Sequence, residues 1–374
     1  MKIGLVLDDT LDTPDGVQQY VLNVGSWLSA QGHEVHYLVG ATTRTDILNV
    51  HSLGKNIKVR FNGNRMSIPL PTSRRKLRMF LAAEKFDVLH VQVPYSPFLA
   101  GRLILAAPLV TAVIGTFHIL PYSRLVTIAN RVLGVLNRRS GKRFDRMLAV
   151  SAPAREFALA AYGYDAEVVP NPINLAQFRG VTSDSPTTNI VFLGRLVSRK
   201  GVQYLLQAIV QMRAKRLYDG DFQVYIGGKG ELRGSLEQYA QANGLADIVH
   251  FMGFIDEDHK ALFLAQADIV AYPSVAGESF GIVLLEGMAA ARGVVLAGNN
   301  PGYASVMKPY AAQLFDPLDT TTLAEKLAWY LDRPVEREVA VSAQQAYVEH
   351  FDINIVGSRL LTIYTRALQS RRGL

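Results

Sequence analysis

A strand–loop–helix–strand pattern opens this chain and then restarts after its middle. Residues 3–7 are apolar and, with Lys2, read as a buried strand over 2–7. A loop with Pro14-Asp15-Gly16 follows, then a helix over 17–30 stopped by Gly32, then a strand over 35–39. In the second half, residues 189–193 read as a strand, 194–201 as a loop, 202–212 as a helix and 222–226 as a strand. The restart is close in detail, because Gly16-Val17-Gln18-Gln19-Tyr20 is answered by Gly201-Val202-Gln203-Tyr204. Such alternation predicts parallel α/β sheets covered by helices. Two rounds of it predict two Rossmann-like, doubly wound domains facing across a deep cleft, with the ligand at the C-terminal ends of the strands. Pro170-Asn171-Pro172 reads as the crossing, since two prolines stiffen an exposed segment. The expected domains are 1–170, joined by a last amphipathic helix from 352–374 that packs back on it, and 171–351.

The remaining elements fit the same plan. Strands are expected at 58–61, 88–93, 109–114, 146–150 and 167–169, with helices at 74–84, 99–107, 124–138 and 152–161. In the second half, helices at 232–243, 259–266 and 321–330 alternate with strands at 249–251, 269–272 and 294–296. Residues 98–117 approach membrane-spanning length, but Arg102 and Pro108 interrupt them, so a helix followed by a strand is expected. The start is too soon acidic for a signal peptide and reads as the first strand. There is no cysteine, which excludes disulfides and thiolate chemistry. The formal net charge of +7 favours a polyanionic partner: nucleic acid, an acidic membrane face or phosphorylated ligands.

Two loops carry groups suited to a phosphorylated ligand. In the loop over 194–201, Arg195 and Lys200 can converge from its two ends, and paired cations stabilise charge growing on a leaving diphosphate. Arginine suits bidentate phosphate contact and lysine supplies a point charge. The second stretch runs from Ala276 to Ala290. It carries Glu278 in a polar loop and Glu286 in an apolar helix over 282–291, with Ser279 as the expected N-cap. The free N–H groups near Phe280, Gly281 and Ile282 suit a phosphate. Glu286 lies further along, where a carboxylate can meet a ribose hydroxyl. Gly227-Gly228-Lys229-Gly230 reads as a tight turn under a base. Asp256-Glu257-Asp258 has an Asp-x-Asp form but stands before a helix, so an acidic first turn explains it better than a metal site.

Arg195, Lys200 and the Glu278–Glu286 pair resemble the signature of retaining GT-B glycosyltransferases of family GT4. So do Gly16, the Thr116-Phe117-His118 turn and the Pro-Asn-Pro crossing. The likeness is greatest to the phosphatidylinositol mannosyltransferases, which use GDP-mannose. The resemblance implies a metal-independent hexosyltransferase with no cofactor beyond its nucleotide-sugar substrate. Arg195 and Lys200 would hold the diphosphate, Glu286 the ribose and Glu278 the sugar hydroxyls. Backbone groups of Ser279, Phe280, Gly281 and Ile282 would add donor contacts. Gly16 would let the first domain approach the diphosphate. Ile255 and Glu257 would read the base, with Glu257 accepting from guanine. His118 would lie near the acceptor and the sugar's reacting end. The chain departs from the family in having Asp15 beside Gly16, in the acidic run Asp8-Asp9-Thr10-Leu11-Asp12, and in Val91-Gln92-Val93-Pro94-Tyr95, which lacks the acidic residue of the lipid enzymes.

Arg74, Arg75, Lys76 and Arg78 stand beside Leu77, Met79, Phe80 and Leu81 at helical spacing. This pattern predicts a helix that binds an anionic membrane surface, its apolar face dipping in. Arg138, Arg139, Lys142 and Arg143 form a second candidate cluster. The sequence reading is thus a cytoplasmic, peripherally membrane-associated transferase at the inner face, moving mannose from GDP-mannose to a lipid or glycolipid acceptor. The competing readings are a UDP-sugar-dependent transferase, a sugar-nucleotide epimerase and a nucleic-acid-binding protein, and the last lacks aromatics among its basic runs.

Overall fold

The protein is described from a computed structural model that covers every residue except Pro14, Asn62, Gly63, Pro71, Val93, Tyr122 and Leu374. The expected Pro14-Asp15-Gly16 loop, the break around Pro71 and the Val91–Tyr95 segment therefore lie partly outside the described residues. Two compact units are present. One comprises Met1–Pro172 with Ile353–Leu374, the other Ile173–Asp352.

The first unit is built on β1 (Lys2–Leu7), α1 (Gly16–Ala30), β2 (Glu34–Val39) and β3 (Val50–Ser52). An antiparallel hairpin follows, β4 (Asn56–Phe61) with β5 (Asn64–Pro69). Then come α2 (Arg74–Glu84), β6 (Val88–Val91), α3 (Leu99–Ala106), β7 (Ala112–Phe117), α4 (Arg124–Leu136), α5 (Arg138–Gly141), β8 (Arg146–Ala149), α6 (Ala152–Tyr162) and β9 (Glu167–Val168). Its sheet has seven strands in the order β3-β2-β1-β6-β7-β8-β9, all neighbours parallel. The strands read as unbroken apolar runs because both faces are covered. The strand order reverses between β1 and β6, which puts the switch point at the loops following those two strands.

The second unit contains β10 (Thr188–Leu193), α7 (Val202–Ala214), β11 (Phe222–Gly227), α8 (Arg233–Ala242), β12 (Val249–Gly253), α9 (Glu257–Ala265) and β13 (Ile269–Tyr272). It continues with α10 (Ile282–Ala290), β14 (Val294–Gly298), α11 (Pro301–Val306), β15 (Leu314–Phe315), α12 (Thr320–Asp332) and α13 (Pro334–Val348). Six parallel strands run β12-β11-β10-β13-β14-β15, so the switch point lies between β10 and β13. The loops that follow these two strands are the two that carry the phosphate-type residues.

The last helix, α14 (Ile353–Arg372), belongs to the first unit and packs on α1 and β7. A Cβ on Gly357 would come within 2.7 Å of the Trp27 ring, so this glycine permits the close approach. The Trp27 indole donates to Asn354 Oδ1 at 2.9 Å. The Tyr364 hydroxyl donates to Nδ1 of the buried His90 at 2.6 Å, whose Nε2 in turn meets Thr116 Oγ1 at 2.6 Å.

Local expectations change in several places, the short strands β3 and β15, the hairpin arm β5 and the helix α11 being additions. The strand expected at 109–114 begins at Ala112, and Leu109 and Val110 stand exposed in the turn before it. Apolar character alone did not distinguish a surface turn from a strand. Helix α13 was not expected. Its buried Gln344 bonds both the N–H and the C=O of Val295, at 2.9 and 3.1 Å, so a polar residue serves as its inward-facing group. The cap of α10 is Gly281, in the left-handed region at φ 104°, rather than Ser279. A Cβ on Gly281 would fall 2.5 Å from the Tyr303 ring, so both conformation and space call for glycine.

Candidate functional site

The loop between β10 and α7 and the loop between β13 and α10 are laced together. Val275 N–H donates to Arg199 O at 2.8 Å, and Ser274 Oγ donates to the same oxygen at 3.1 Å. Gly201 sits at φ 75°, and a Cβ there would fall 1.9 Å from Pro273 O. Behind the second loop, Asn300 Nδ2 donates to Ser274 O at 2.9 Å. A Cβ on Gly302 would lie 2.0 Å from Glu278 O. On the other side, Gly194 N–H donates to Gly227 O at 3.0 Å and Leu196 N–H to Lys229 O at 2.9 Å. The glycine-rich turn over 227–230 thus braces the loop that carries Arg195.

At the centre stands Glu278, buried. One of its oxygens, Oε1, meets Lys200 Nζ at 2.9 Å, Arg199 Nη1 at 2.8 Å and Ser274 Oγ at 2.8 Å. Burial alone would push this carboxyl up, but Lys200 and Arg199 overcome it and hold the group down at about 2. Lys200 is pulled below the usual lysine range, first by burial, against the pull of Glu278, with Arg199 and Arg195 adding to the lowering. Glu278 is therefore ionised near neutrality, and Arg195 stands close enough to be felt at Lys200. Three basic side chains thus gather around one carboxylate, an excess of basic groups suited to an anion.

Arg199 was missed in the sequence, where Arg195 and Lys200 were named. The signal was present, because Arg199 is adjacent to Lys200 in the same loop. A second partner missed is Lys260, on α9. Its Nζ lies 2.8 Å from Glu286 Oε1 and 2.7 Å from Glu257 Oε2. Burial lowers Lys260, but Glu286 and Glu257 outweigh it and raise the group. The residue expected on the ribose and the residue expected on the base are therefore bridged by one ammonium. Glu286 projects inward from α10, about 6 Å along the helix from Ile282. Phe280 turns its ring into the core against Phe351, at 5.9 Å between ring centroids. Ile255 is packed over Gly227, where a Cβ would come within 2.9 Å of its Cγ1. Asp256 is the N-cap of α9, accepting from His259 N–H at 3.0 Å, and Glu257 and Asp258 form the acidic first turn. Lys260→Met is expected to raise the Kd for the nucleotide about tenfold, because both carboxylates lose the ammonium that holds them in place, and to lower the melting temperature, because Glu286 is left buried without its partner; isothermal titration and calorimetry read the two effects.

In the first unit, His118 follows β7 and is buried. Its Nε2 donates to Gln92 Oε1 at 2.9 Å, and its ring packs edge-on against Tyr20 at 4.9 Å. Burial pulls both His118 and His90 down to about 3. His118 is therefore neutral at physiological pH and too weak a base to take a proton in the ground state, which suits a positioning role. The acidic run also has structural duties. Asp8 is buried, accepts from Ala100 N–H at 2.7 Å and from Ser96 Oγ, and is pushed up to about 7 by burial. Asp12 accepts from Thr42 Oγ1 at 2.5 Å and Thr43 N–H at 2.8 Å. Gly16 opens α1, and a Cβ there would meet nothing within 4 Å. The unit's own packing does not require glycine at this position.

These groups fix how stability responds to acid. Unfolded histidine binds a proton near pH ~6.5, so between there and about 3 the unfolded chain holds more protons than the folded one at His118 and His90. Their stabilisation is complete above that range and is lost as pH falls through it. Asp8 works in the opposite sense, one group against two. Melting temperature is expected to change little just below pH 7, where Asp8 offsets the histidines, and to fall between about pH 6 and 5, with a shallower slope in His118→Gln; scanning calorimetry across pH checks both.

The basic helix α2 differs from expectation. Leu77 and Leu81 are buried in the core with Val6, Leu38 and Phe86, so its apolar face is already used. Arg74, Arg75, Lys76 and Arg78 are exposed, together with Met79. In the second cluster Arg143 is a structural residue, donating to Pro108 O at 2.7 Å and Thr111 O at 2.8 Å, whereas Arg138, Arg139 and Lys142 are exposed. Among the described residues no helix is long and apolar enough to cross a membrane.

Two family profiles divide the chain between them. Residues 14–177 match Glycosyltransferase Family 4, and residues 176–346 match Glycosyl transferases group 1. The phosphatidyl-myo-inositol mannosyltransferase of Mycolicibacterium smegmatis is 31% identical over 376 residues, covering 97% of this chain and 93% of that protein. The chain belongs to glycosyltransferase family 4. The namesake enzyme of Mycobacterium leprae is also 31% identical, over 97% of this chain and 96% of its own length. Among solved structures, Anabaena HepE in complex with UDP and glucose superposes with a TM-score of 0.78 at 18% identity, covering 98% of this chain and all of that one. A glycosyltransferase from Rickettsia africae gives a TM-score of 0.75 at 19% identity, covering 98% of each chain. These likenesses establish the GT-B fold, two Rossmann-like parallel-sheet domains, and the enzyme is a glycosyltransferase.

Proposed function

We propose that this glycosyltransferase moves mannose, with retention of configuration, from GDP-mannose to a lipid acceptor at an anionic membrane surface, with phosphatidylinositol the first acceptor to test. The observation that carries the donor side is the buried cluster of Lys200, Arg199 and Glu278 beside Arg195, an anion site with net positive charge at the switch point of the second sheet. The diphosphate takes the cations, and Glu278, released from them, turns to the sugar hydroxyls. Backbone N–H groups of Gly281 and Ile282 at the start of α10 add to the phosphate contacts. Glu286, held by Lys260, takes the ribose. Glu257 accepts from guanine N1 and N2; uracil has an imino donor but no counterpart of the 2-amino group, so a carboxylate here favours guanine.

As the glycosidic bond to the diphosphate breaks, charge develops on the leaving oxygen, where Arg195, Arg199 and Lys200 stabilise it. That positive charge is supplied by side chains, which supports a reaction without an essential metal. The reaction proceeds without a carboxylate nucleophile. The departing phosphate takes the acceptor's proton, and His118, neutral, positions the acceptor. The names of the mannosyltransferase relatives support mannose and an inositol lipid. The exposed Arg74, Arg75, Lys76 and Arg78 support contact with anionic headgroups at the inner face of the membrane.

A panel of GDP, UDP and their sugars tests the donor by thermal shift, since ligands of the folded state raise the melting temperature. GDP and GDP-mannose are expected to stabilise, and UDP is not. Radiolabel from GDP-mannose should then enter phosphatidylinositol vesicles. Stabilisation by UDP alone overturns the donor assignment, and conversion of the donor without any acceptor indicates an epimerase.

A further inference from the structure

Helix α4 is turned inside out. Its buried side is polar or small: Asn130, Gly134 and, at the cap, Asn137. Asn130 accepts from the Tyr162 hydroxyl at 2.5 Å, and Asn137 Nδ2 donates to Tyr95 O at 2.6 Å. A Cβ on Gly134 would fall 2.4 Å from Ala161 O, so this face of α4 lies hard against α6. The opposite face holds Leu125, Ile128, Val132, Val135 and Leu136, exposed by 56% at Val132 to 79% at Leu125. At about 100° per residue these five fall within an arc of about 100°, opposite the buried polar groups. Scattered apolar residues on a surface need no explanation, but a continuous helical stripe does.

The charge around the stripe points to its partner. No Asp or Glu stands between Asp87 and Asp145. Arg131, Arg138, Arg139 and Lys142 are exposed beside it or just beyond its end. Helix α5 packs on α4, α3 on α5 and α2 on α3, so the row continues to the exposed cations of α2. Leu105, Leu109 and Val110 add exposed apolar groups at the end of α3. An apolar stripe bordered by cations without acids complements acyl chains beneath anionic headgroups. We propose that α4 is the element that seats this chain in an anionic lipid bilayer, its five apolar side chains below the headgroups and its arginines among them. Helix α2, with its leucines committed to the core, then contributes charge and little insertion. This deepens the lipid-acceptor reading and rests on it for its setting.

The absence of cysteine makes a direct test clean. Single variants Ile128→Cys, Val132→Cys, Met79→Cys and Val335→Cys carry an environment-sensitive fluorophore. On phosphatidylcholine vesicles containing phosphatidylglycerol, the labels at 128 and 132 should shift to the blue, and the label at 335, exposed in the other unit, should not. The triple variant Leu125→Ser/Ile128→Ser/Val132→Ser should lose about tenfold or more in vesicle affinity with its melting temperature unchanged. Vesicle binding with water-like emission at 128 and 132 overturns the proposal, as does failure to bind anionic vesicles. A dimer in sedimentation that the triple variant splits also overturns it, in favour of a second copy as occupant. Transfer to short-chain phosphatidylinositol dispersed without a bilayer should survive in the triple variant. If the unsubstituted chain fails there, the acceptor reading is wrong whatever α4 does.

Discussion

Lys200→Met should lower kcat by about 10²–10³ at saturating donor, equivalent to about 3–4 kcal/mol of transition-state stabilisation. The methionine keeps the length of the side chain and removes only its charge. In the donor-free protein Glu278 retains Arg199 and Ser274 as partners, so the fold should persist and the melting temperature should move little. The loss belongs mostly to kcat rather than KM, because negative charge on the leaving diphosphate is greatest in the transition state. Steady-state kinetics alongside calorimetry separates the two effects. A kcat within threefold of the unsubstituted enzyme would mean that Lys200 does not face the leaving group.

Glu278→Ala should behave in the opposite way, with its largest effect on the protein without donor. The substitution leaves Lys200 and Arg199 in a buried site without their carboxylate. Removing one partner of a buried ion pair costs about 3–5 kcal/mol, because the remaining charge is unpaired. GDP should restore much of this loss, since its diphosphate supplies the missing negative charge, and binding at 100 times Kd adds about 2.7 kcal/mol. Transfer should nevertheless stay abolished, because the sugar hydroxyls have lost their acceptor. The decisive measurement is denaturant unfolding with and without GDP. If the variant is as stable as the parent without ligand, or if GDP stabilises both equally, Glu278 is not the counter-charge of the diphosphate site.

These two expectations show how the site divides between what was legible in the sequence and what was not. Arg195, Lys200 and Glu278 could be picked out because they stand in loops that follow strands, where a doubly wound sheet gathers its ligand residues, and Glu286 because it is an acid inside the apolar helix α10. Arg199 carried a signal in its place beside Lys200, whereas Lys260 could not be given a role from its type alone. Surface loops and helices are full of cations, and only the folded chain shows which of them face a buried carboxylate. The acidic run after β1 shows the same limit from the other side. Asp8 caps the start of α3, a duty assigned by the approach of Ser96 and Ala100, which stand far from it in the chain.

The alternation of apolar strands and amphipathic helices by itself determined the two parallel sheets, because the period of burial follows directly from backbone geometry. The final helix was likewise expected from its amphipathic pattern, and its return to the first unit from the two-domain architecture. What periodicity does not contain is direction: a helix with one apolar face fits equally well with that face turned in or out. Helix α2 and helix α4 carry the same kind of stripe, yet Leu77 and Leu81 face the core while Ile128 and Val132 face outward. The tertiary structure decided this through contacts distant in sequence. Gly134 admits the backbone of α6 at Ala161, and Tyr95 and Tyr162 offer partners to Asn137 and Asn130. A polar face that finds its hydrogen bonds inside leaves the apolar one to the surface.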